Sequence, residues 1–291
     1  MTTPAQPIFP PLNKEAIQRL IRLGLAEDFA HGPDATSEAT IDMDAVLTAQ
    51  VVPRQDGTVA GIDVVGWTMH EISPAVDVSV HAADGDRVTA GDCLATVSGP
   101  ARVILSAERT ALNLLTYASG IATATSAWTE VISDTRARVR DSRKTLPGYR
   151  DLAKYAVRCG GGVNHRMSLG DAALIKDNHV ASIGSVADAY RRTANAFPGL
   201  PLEVEVDDLD QLTEVLELKP TLVMLDNFEV EDTRVAVARR DALSPATMLE
   251  SSGGLTLDRA RAYADTGVEF LAVGALTHSV TILDIGLDAL T

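Results

Sequence analysis

The sequence predicts an α/β chain whose second half is a barrel of parallel strands. Three observations carry this reading. From residue 136 onward, strand-like and helical runs alternate without a break. The residues that end successive strands, Glu205, Asp226, Ser252 and Gly274, recur about every 20–25 residues, the length of one βα unit. Neither GxGxxG nor GxxxxGKS/T occurs, so dinucleotide and P-loop folds lose their main support. The even period favours a barrel over an open doubly wound sheet.

In chain order, the first dozen residues, MTTPAQPIFPPL, carry four prolines and no period, and are expected to be unstructured. A helix is expected from Asn13 to about Phe29. Asn13 serves as its cap, and Ile17, Leu20, Ile21 and Leu25 form one apolar stripe. The stretch to about Pro100 is rich in β-branched and alternating residues broken by DG and GD turns, so it reads as strands. A second helix follows around Leu112, Leu114 and Leu115. Beyond it, RARVRDS, DAALIKD, LEVEV, TLVMLD, ATMLESS and EFLAVG are the strands of the barrel, with helical runs between them.

Composition excludes several classes of function. With 46% hydrophobic and 22% charged residues, the chain can fill a core. A net charge of −15 argues against nonspecific nucleic-acid binding and against anionic membranes. No apolar run approaches the roughly 20 residues of a membrane span and no signal pattern opens the chain, so a cytoplasmic location is expected. Cys93 and Cys159 lack metal-ligand spacing and are expected to be reduced, packed thiols. The hairpin DGDRVTAGDCLATVSG is similar to those of lipoyl and biotinyl carriers. A carrier needs a hairpin lysine, however, and no lysine lies between Lys14 and Lys144.

Against that acidic background, the stretch 136–176 holds ten Lys or Arg and only three Asp. Arg150, Lys154 and Arg158 fall at helical spacing and are expected to be a solvated helix face. Arg136, Arg138 and Arg140 belong to the strand leading in. Arg143, Lys144, His165, Arg166 and Lys176 sit instead among Gly, Pro and Asn, or beside apolar strand residues, where long cations converge on something negative. Arginines can grip carboxylates bidentately, and lysines supply point charges. A crowd of cations repels itself until an anion neutralises it, so a dianion or polyphosphate is the expected ligand. Gly160, Gly161 and Gly162 let backbone approach closely, although Gly160 reads equally well as a helix stop.

Two further groups fall at strand ends, where α/β barrels build their sites. Glu205 and Asp226, facing phosphate-binding cations, suit a partly hydrated Mg2+; acid–base catalysis and charge balance toward the lysines remain alternatives. Ser251, Ser252, Gly253 and Gly254 before a helix, then Val273, Gly274 and Ala275, suit a monophosphate. Together these groups point to a phosphorylated, magnesium-bound donor beside a small acidic acceptor.

At this point the chain resembles the quinolinate phosphoribosyltransferase family. AEDFAHGPDATS, AERTALNLL, DSRKTLPG, KYAVRCGGGVNHR, LIKDNH, VEVD, LDNF, ESSGG and AVGALTHS carry the resemblance in order along nearly the whole chain. It departs at Ser142 and Leu146, where the family usually has Thr. The hydroxyl survives at the first, and the second touches no charge.

The resemblance implies an N-terminal α/β sandwich domain in residues 1–116, joined by a tail at 277–291, and an open α/β barrel with parallel strands in 117–276. It also implies a homodimer or dimer-based oligomer with shared sites, in which Arg109 reaches into the neighbour's pocket. The implied reaction gives nicotinate mononucleotide, CO2 and pyrophosphate from quinolinate and phosphoribosyl pyrophosphate. Arg109, Ser142, Arg143, Lys144, His165, Arg166 and Lys176 would hold quinolinate. Lys144, Lys176, Glu205, Asp226, Ser252, Gly253, Gly254, Val273, Gly274, Ala275 and His278 would hold the donor. Glu205 and Asp226 would carry Mg2+, and with Lys144 would form the catalytic set. The rival expectations are a transferase that uses nicotinate and a barrel that binds a phosphometabolite without catalysis.

Overall fold

The computed structural model describes residues 10–290; most of the proline-rich start falls outside the described residues. The chain divides into two compact units. The first takes the chain up to Ser126, Thr145–Gly161 and everything from Ala275 on; the second takes Ala127–Lys144 and Gly162–Gly274.

The first unit opens with α1 (Lys14–Asp28), capped by Asn13, whose side chain accepts from the Ala16 N–H at 3.3 Å. Ile17, Leu20, Ile21 and Leu25 are buried as one stripe. Then come α2 (Ala35–Thr40), β1 (Val46–Pro53), β2 (Gly57–Thr58), α3 (Asp63–Ile72), β3 (Asp77–Val80), β4 (Arg87–Val88), β5 (Ala95–Pro100) and α4 (Ala101–Val131). Helix α3 corrects the all-strand expectation for this stretch. Val64, Val65, Thr68 and Met69 are its buried residues and follow helical spacing, which outweighs the β preference of the two valines.

Helix α5 (Arg150–Cys159) belongs to this unit because Leu152, Ala153, Tyr155, Ala156 and Val157 join its core. The sequence expectation had placed the break after residue 116. The solvated face expected on α5 is also corrected: Lys154 is 0% exposed, and Arg150 and Arg158 are half-buried. The guanidinium of Arg158 lies 5.5 Å from the Tyr155 ring centroid. Gly160 ends α5, and a Cβ there would meet the Ala122 carbonyl of α4 at 2.4 Å. The close approach that this glycine allows is therefore helix on helix. Cys93 and Cys159 are free thiols.

The second unit holds β6 (Arg138–Arg140), β7 (Ala173–Ile175), α6 (Asp177–Ile183), α7 (Val186–Ala196), β8 (Leu202–Val206), α8 (Leu209–Leu216), β9 (Leu222–Asp226), α9 (Val230–Leu243), β10 (Met248–Ser252), α10 (Leu257–Ala264) and β11 (Phe270–Ala272). Its six strands are parallel in the order β6-β11-β10-β9-β8-β7. The first strand thus pairs with the last, as in a barrel. Among the described residues no pairing joins β6 to β7, so the barrel stays open. An isolated parallel bridge from Arg140 to Val163 extends the sheet beyond β6. The chain then returns to the first unit through α11 (Ala275–His278) and β12 (Ile285–Ala289), giving an antiparallel sheet of order β12-β1-β5-β3. No described helix is long and apolar enough to cross a membrane.

Candidate active site

Register decides which side chains meet inside the barrel. Glu205 pairs with Met224 and Glu250 with Met224, while Ser252 pairs with Asp226. Since side chains alternate along a strand, Glu203, Glu205, Asp226, Glu250 and Ser252 share one face. Helices pack on the other face.

At the C-terminal ends of these strands, the Lys176 ammonium contacts the Glu205 carboxylate, joining β7 to β8. Asp226 accepts from the Asn227 side chain at 2.6 Å. Asn227 adopts a left-handed backbone (φ 57), and its N–H donates to the Ser252 carbonyl at 2.9 Å. Gly253 (φ 92) is required here, because a Cβ would lie 2.2 Å from the Asn227 Oδ1 and 2.8 Å from its backbone nitrogen. The carboxylate at one strand end and the glycine loop at the next are thus locked side by side.

The cations come from two loops. After β6, Ser142 and Arg143 are half-buried and Lys144 is exposed, with the Lys144 N–H donating to Ser142 Oγ at 3.1 Å. The second loop carries Arg166. Its Nη1 donates to the Ala172 carbonyl at 3.0 Å, while Asp171 pins the turn by accepting from the Met167 and Ser168 N–H groups. Burial, and then the nearby charge of Arg143, push Arg166 below its ordinary value. Both Arg143 and Arg166 keep a buried Nε without a hydrogen-bond partner. Two guanidiniums held close enough to repel one another, each with an unused donor, could both be satisfied by one anion.

Beneath this mouth lies a buried polar layer that sequence reasoning missed. The Arg140 Nη1 donates to Glu250 Oε2 at 2.7 Å, and its guanidinium lies over the Phe270 ring. His165 Nε2 is 2.8 Å from Glu203 Oε2 and 3.8 Å from Glu250 Oε1. Burial pushes Glu203 up to about 7; burial, and then the charge of Glu203, push Glu250 up to about 8. The Oε1 atoms of both carboxyls are buried without a partner. A proton retained by the pair supplies the donor they lack. The available signal was a glutamate two residues before the strand-end polar position in each of LEVEV and MLESS.

His165 was expected among the cations. It is 7% exposed and faces the buried layer, with Nδ1 accepting from the Arg166 N–H at 2.8 Å. A cavity of ≈ 550 Å3 reaches the strand starts at Leu202, Leu222 and Met248, and Arg140, His165 and Arg166 line it. Val273 and Gly274 follow β11, and the Val273 N–H donates to the Arg140 carbonyl at 2.9 Å. Arg109, Ala275 and His278 lie in the first unit and are exposed, Arg109 on α4 and the other two on α11.

Comparison with known proteins agrees with this chemistry. The family model for the C-terminal domain of quinolinate phosphoribosyl transferase matches residues 121–288, and the model for its N-terminal domain matches 34–119. The nicotinate-nucleotide pyrophosphorylase (carboxylating) of Mycobacterium leprae is 54% identical over 277 residues, covering 94% of this chain and 97% of its own. A protein of Bacillus subtilis with the same name, given as probable, is 36% identical over 95% of this chain and 94% of its own. The solved nicotinate-nucleotide pyrophosphorylase of Francisella tularensis superposes with a TM-score of 0.89 at 36% identity, over 97% of this chain and 100% of that one. With family models matching from residue 34 to residue 288 and a relative 54% identical along nearly the whole length, the chain belongs to the quinolinate phosphoribosyltransferase family.

Proposed function

We propose that the strand-end residues of the second unit bind quinolinate beside phosphoribosyl pyrophosphate and carry out the decarboxylating transfer that yields nicotinate mononucleotide. As a member of its family the chain is a phosphoribosyltransferase of NAD biosynthesis. The observation that supports this site best is the Arg143–Arg166 pair, with two mutually repelling guanidiniums and unused buried donors. A diacid relieves that repulsion more fully than a monoacid. Lys176 and Ser142 complete the quinolinate side, and Arg109 does so from a second copy of the chain in a homodimer. His165 serves this side from below.

The donor lies along Glu205, Asp226 and the loop Ser252, Gly253 and Gly254, with Val273, Gly274, Ala275 and His278 toward its 5′-phosphate. Two carboxylates on neighbouring strand ends fit a Mg2+ that keeps waters and substrate oxygens, not a closed protein cage. Lys176 occupies Oε2 of Glu205, which leaves the other oxygen for a hard cation. When bound, the ion neutralises charge on the pyrophosphate.

The pyridine nitrogen forms the new bond to the ribose carbon as the bond to pyrophosphate breaks, and pyrophosphate keeps the electron pair. Lys144, exposed at the loop tip, meets that developing charge. The ring nitrogen is then cationic. The bond to the adjacent carboxyl breaks, CO2 departs, and the electron pair left on the ring carbon is stabilised by that nitrogen before a proton replaces it. Catalysis is positioning and electrostatic stabilisation, so no nucleophilic side chain is required. A cytoplasmic location belongs to the same reading.

The test is the release of CO2 and pyrophosphate by purified protein given quinolinate, phosphoribosyl pyrophosphate and Mg2+. Equal release of both products, abolished by EDTA, is expected. Turnover of nicotinate in place of quinolinate would favour the monoacid transferase. Donor binding without turnover of either acid would favour a non-catalytic barrel.

A further inference from the structure

The loop that carries Arg166 is held from below by an unusual number of buried charges. Asp141, 0% exposed, accepts from the Asn164 side chain at 2.5 Å and from the His165 N–H at 2.8 Å. The Arg140 Nε reaches the Asn164 carbonyl at 3.4 Å, and its Nη1 is fixed by Glu250 at 2.7 Å. The His165 ring lies between its own chain and the strands: Nδ1 takes the Arg166 N–H at 2.8 Å, and Nε2 lies 2.8 Å from Glu203 Oε2. Loops without such anchors place a guanidinium poorly, and recognition of a rigid diacid needs it placed to a fraction of an ångström.

We propose that Glu203 and Glu250, buried beneath the pocket, are positioning residues that act through His165 and Arg140 to set the backbone of Arg166 and hence its grip on the acceptor's carboxylate. Neither glutamate touches substrate in this account, which rests on the pocket reading given above. The tautomer of His165 is the link. A ring nitrogen that accepts a backbone N–H offers its lone pair there, so in the neutral ring the proton sits on Nε2, the atom that lies 2.8 Å from Glu203 Oε2. The same geometry decides against a different use of the cluster. The ligand atoms of His165, Glu203 and Glu250 lie within 4.8 Å of one another, close enough to share a cation. A metal requires a lone pair on Nε2, where this tautomer carries a proton.

The test uses the full-length enzyme. Steady-state kinetics would be measured with each substrate varied in turn for wild type, Glu203→Gln, Glu203→Leu and Arg166→Ala. Gln keeps an acceptor for Nε2, so Glu203→Gln should stay within about threefold of wild type. Leu removes the carboxylate oxygen that sits 2.8 Å from Nε2 and replaces it with an apolar group, so Glu203→Leu should raise KM for quinolinate about tenfold or more, while KM for phosphoribosyl pyrophosphate stays within about twofold. Long-range proton–nitrogen NMR of wild type should show His165 protonated at Nε2. Protonation at Nδ1, equal loss of affinity for both substrates in Glu203→Leu, or a metal-induced shift of the His165 ring nitrogens that persists when Glu205 and Asp226 are both replaced would overturn the proposal. If Arg166→Ala leaves KM for quinolinate unchanged, the pocket reading itself fails. If Arg166→Ala weakens quinolinate and Glu203→Leu does not, only the positioning role fails.

Discussion

Glu203 and Glu205 stand two residues apart on β8 and point to the same face, yet their surroundings divide them. Glu205 meets Lys176, whose side chain is 44% exposed at the strand ends, while Glu203 meets His165 in an interior almost closed to water. Glu250 repeats the contrast on β10, two residues before Ser252. One strand thus supplies two buried carboxylates, one facing a half-exposed lysine at the strand end and one facing a buried histidine below it. The comparison teaches that in this barrel the partner met at each depth, not residue type or side-chain exposure, divides the glutamates of one face.

The largest expected effect is on stability in the dry layer. Glu250→Ala takes the buried acceptor from the Arg140 Nη1 and empties a fully enclosed position, and should cost about 3 kcal/mol in denaturant unfolding of the barrel. Glu205→Ala removes a buried carboxylate whose partner Lys176 is half-exposed and can still turn to water, and should cost about 1–2 kcal/mol, while turnover collapses. Similar stability losses for the two would break the comparison.

An intermediate effect is expected from Gly253→Ala. It places a Cβ against the Asn227 backbone at an unfavourable positive φ. A loss of about 1–3 kcal/mol should accompany weaker binding of phosphoribosyl pyrophosphate, with quinolinate affinity nearly unchanged.

The pH dependence should differ in the same direction. Glu250 is raised in the folded state to about 8, so the folded protein holds a proton that the unfolded chain releases at ordinary carboxyl values. Its contribution is complete below about pH 4.5 and is lost as pH rises through about 8. Stability should therefore fall across that window by up to about 1.4 kcal/mol per pH unit for each proton so held, and Glu250→Gln should flatten the slope. Urea unfolding at several pH values measures this. The smallest effect is expected from Leu146→Thr, since Leu146 is 46% exposed and its stability cost should lie within about 0.5 kcal/mol. A matching change of less than about twofold in kcat/KM is expected.

How much of this was legible in the sequence follows the same division by depth. Periodicity located all six barrel strands, and their polar ends put Lys176, Glu205, Asp226 and Ser252 at strand C-termini, where the structure has them. The dry layer was not legible, because a glutamate within LEVEV or MLESS looks like solvated alternation until register shows that its face is enclosed. Lys154 was misread for a related reason. Helical spacing reports which residues share a face, not whether that face meets water, and α5 turns Lys154 inward. Nor did spacing reveal that α5 joins the first unit's core, since an apolar stripe does not name the surface it packs on. Gly160 was ambiguous until the Ala122 carbonyl showed what it makes room for.

The central claim is that Arg143 and Arg166 make the pocket select a diacid. Calorimetric titration of wild type and Arg166→Ala with quinolinate and with nicotinate tests it most directly. Wild type should bind quinolinate at least about tenfold more tightly than nicotinate, and Arg166→Ala should lose that preference while keeping the melting temperature of wild type. An unchanged preference in Arg166→Ala would contradict the account.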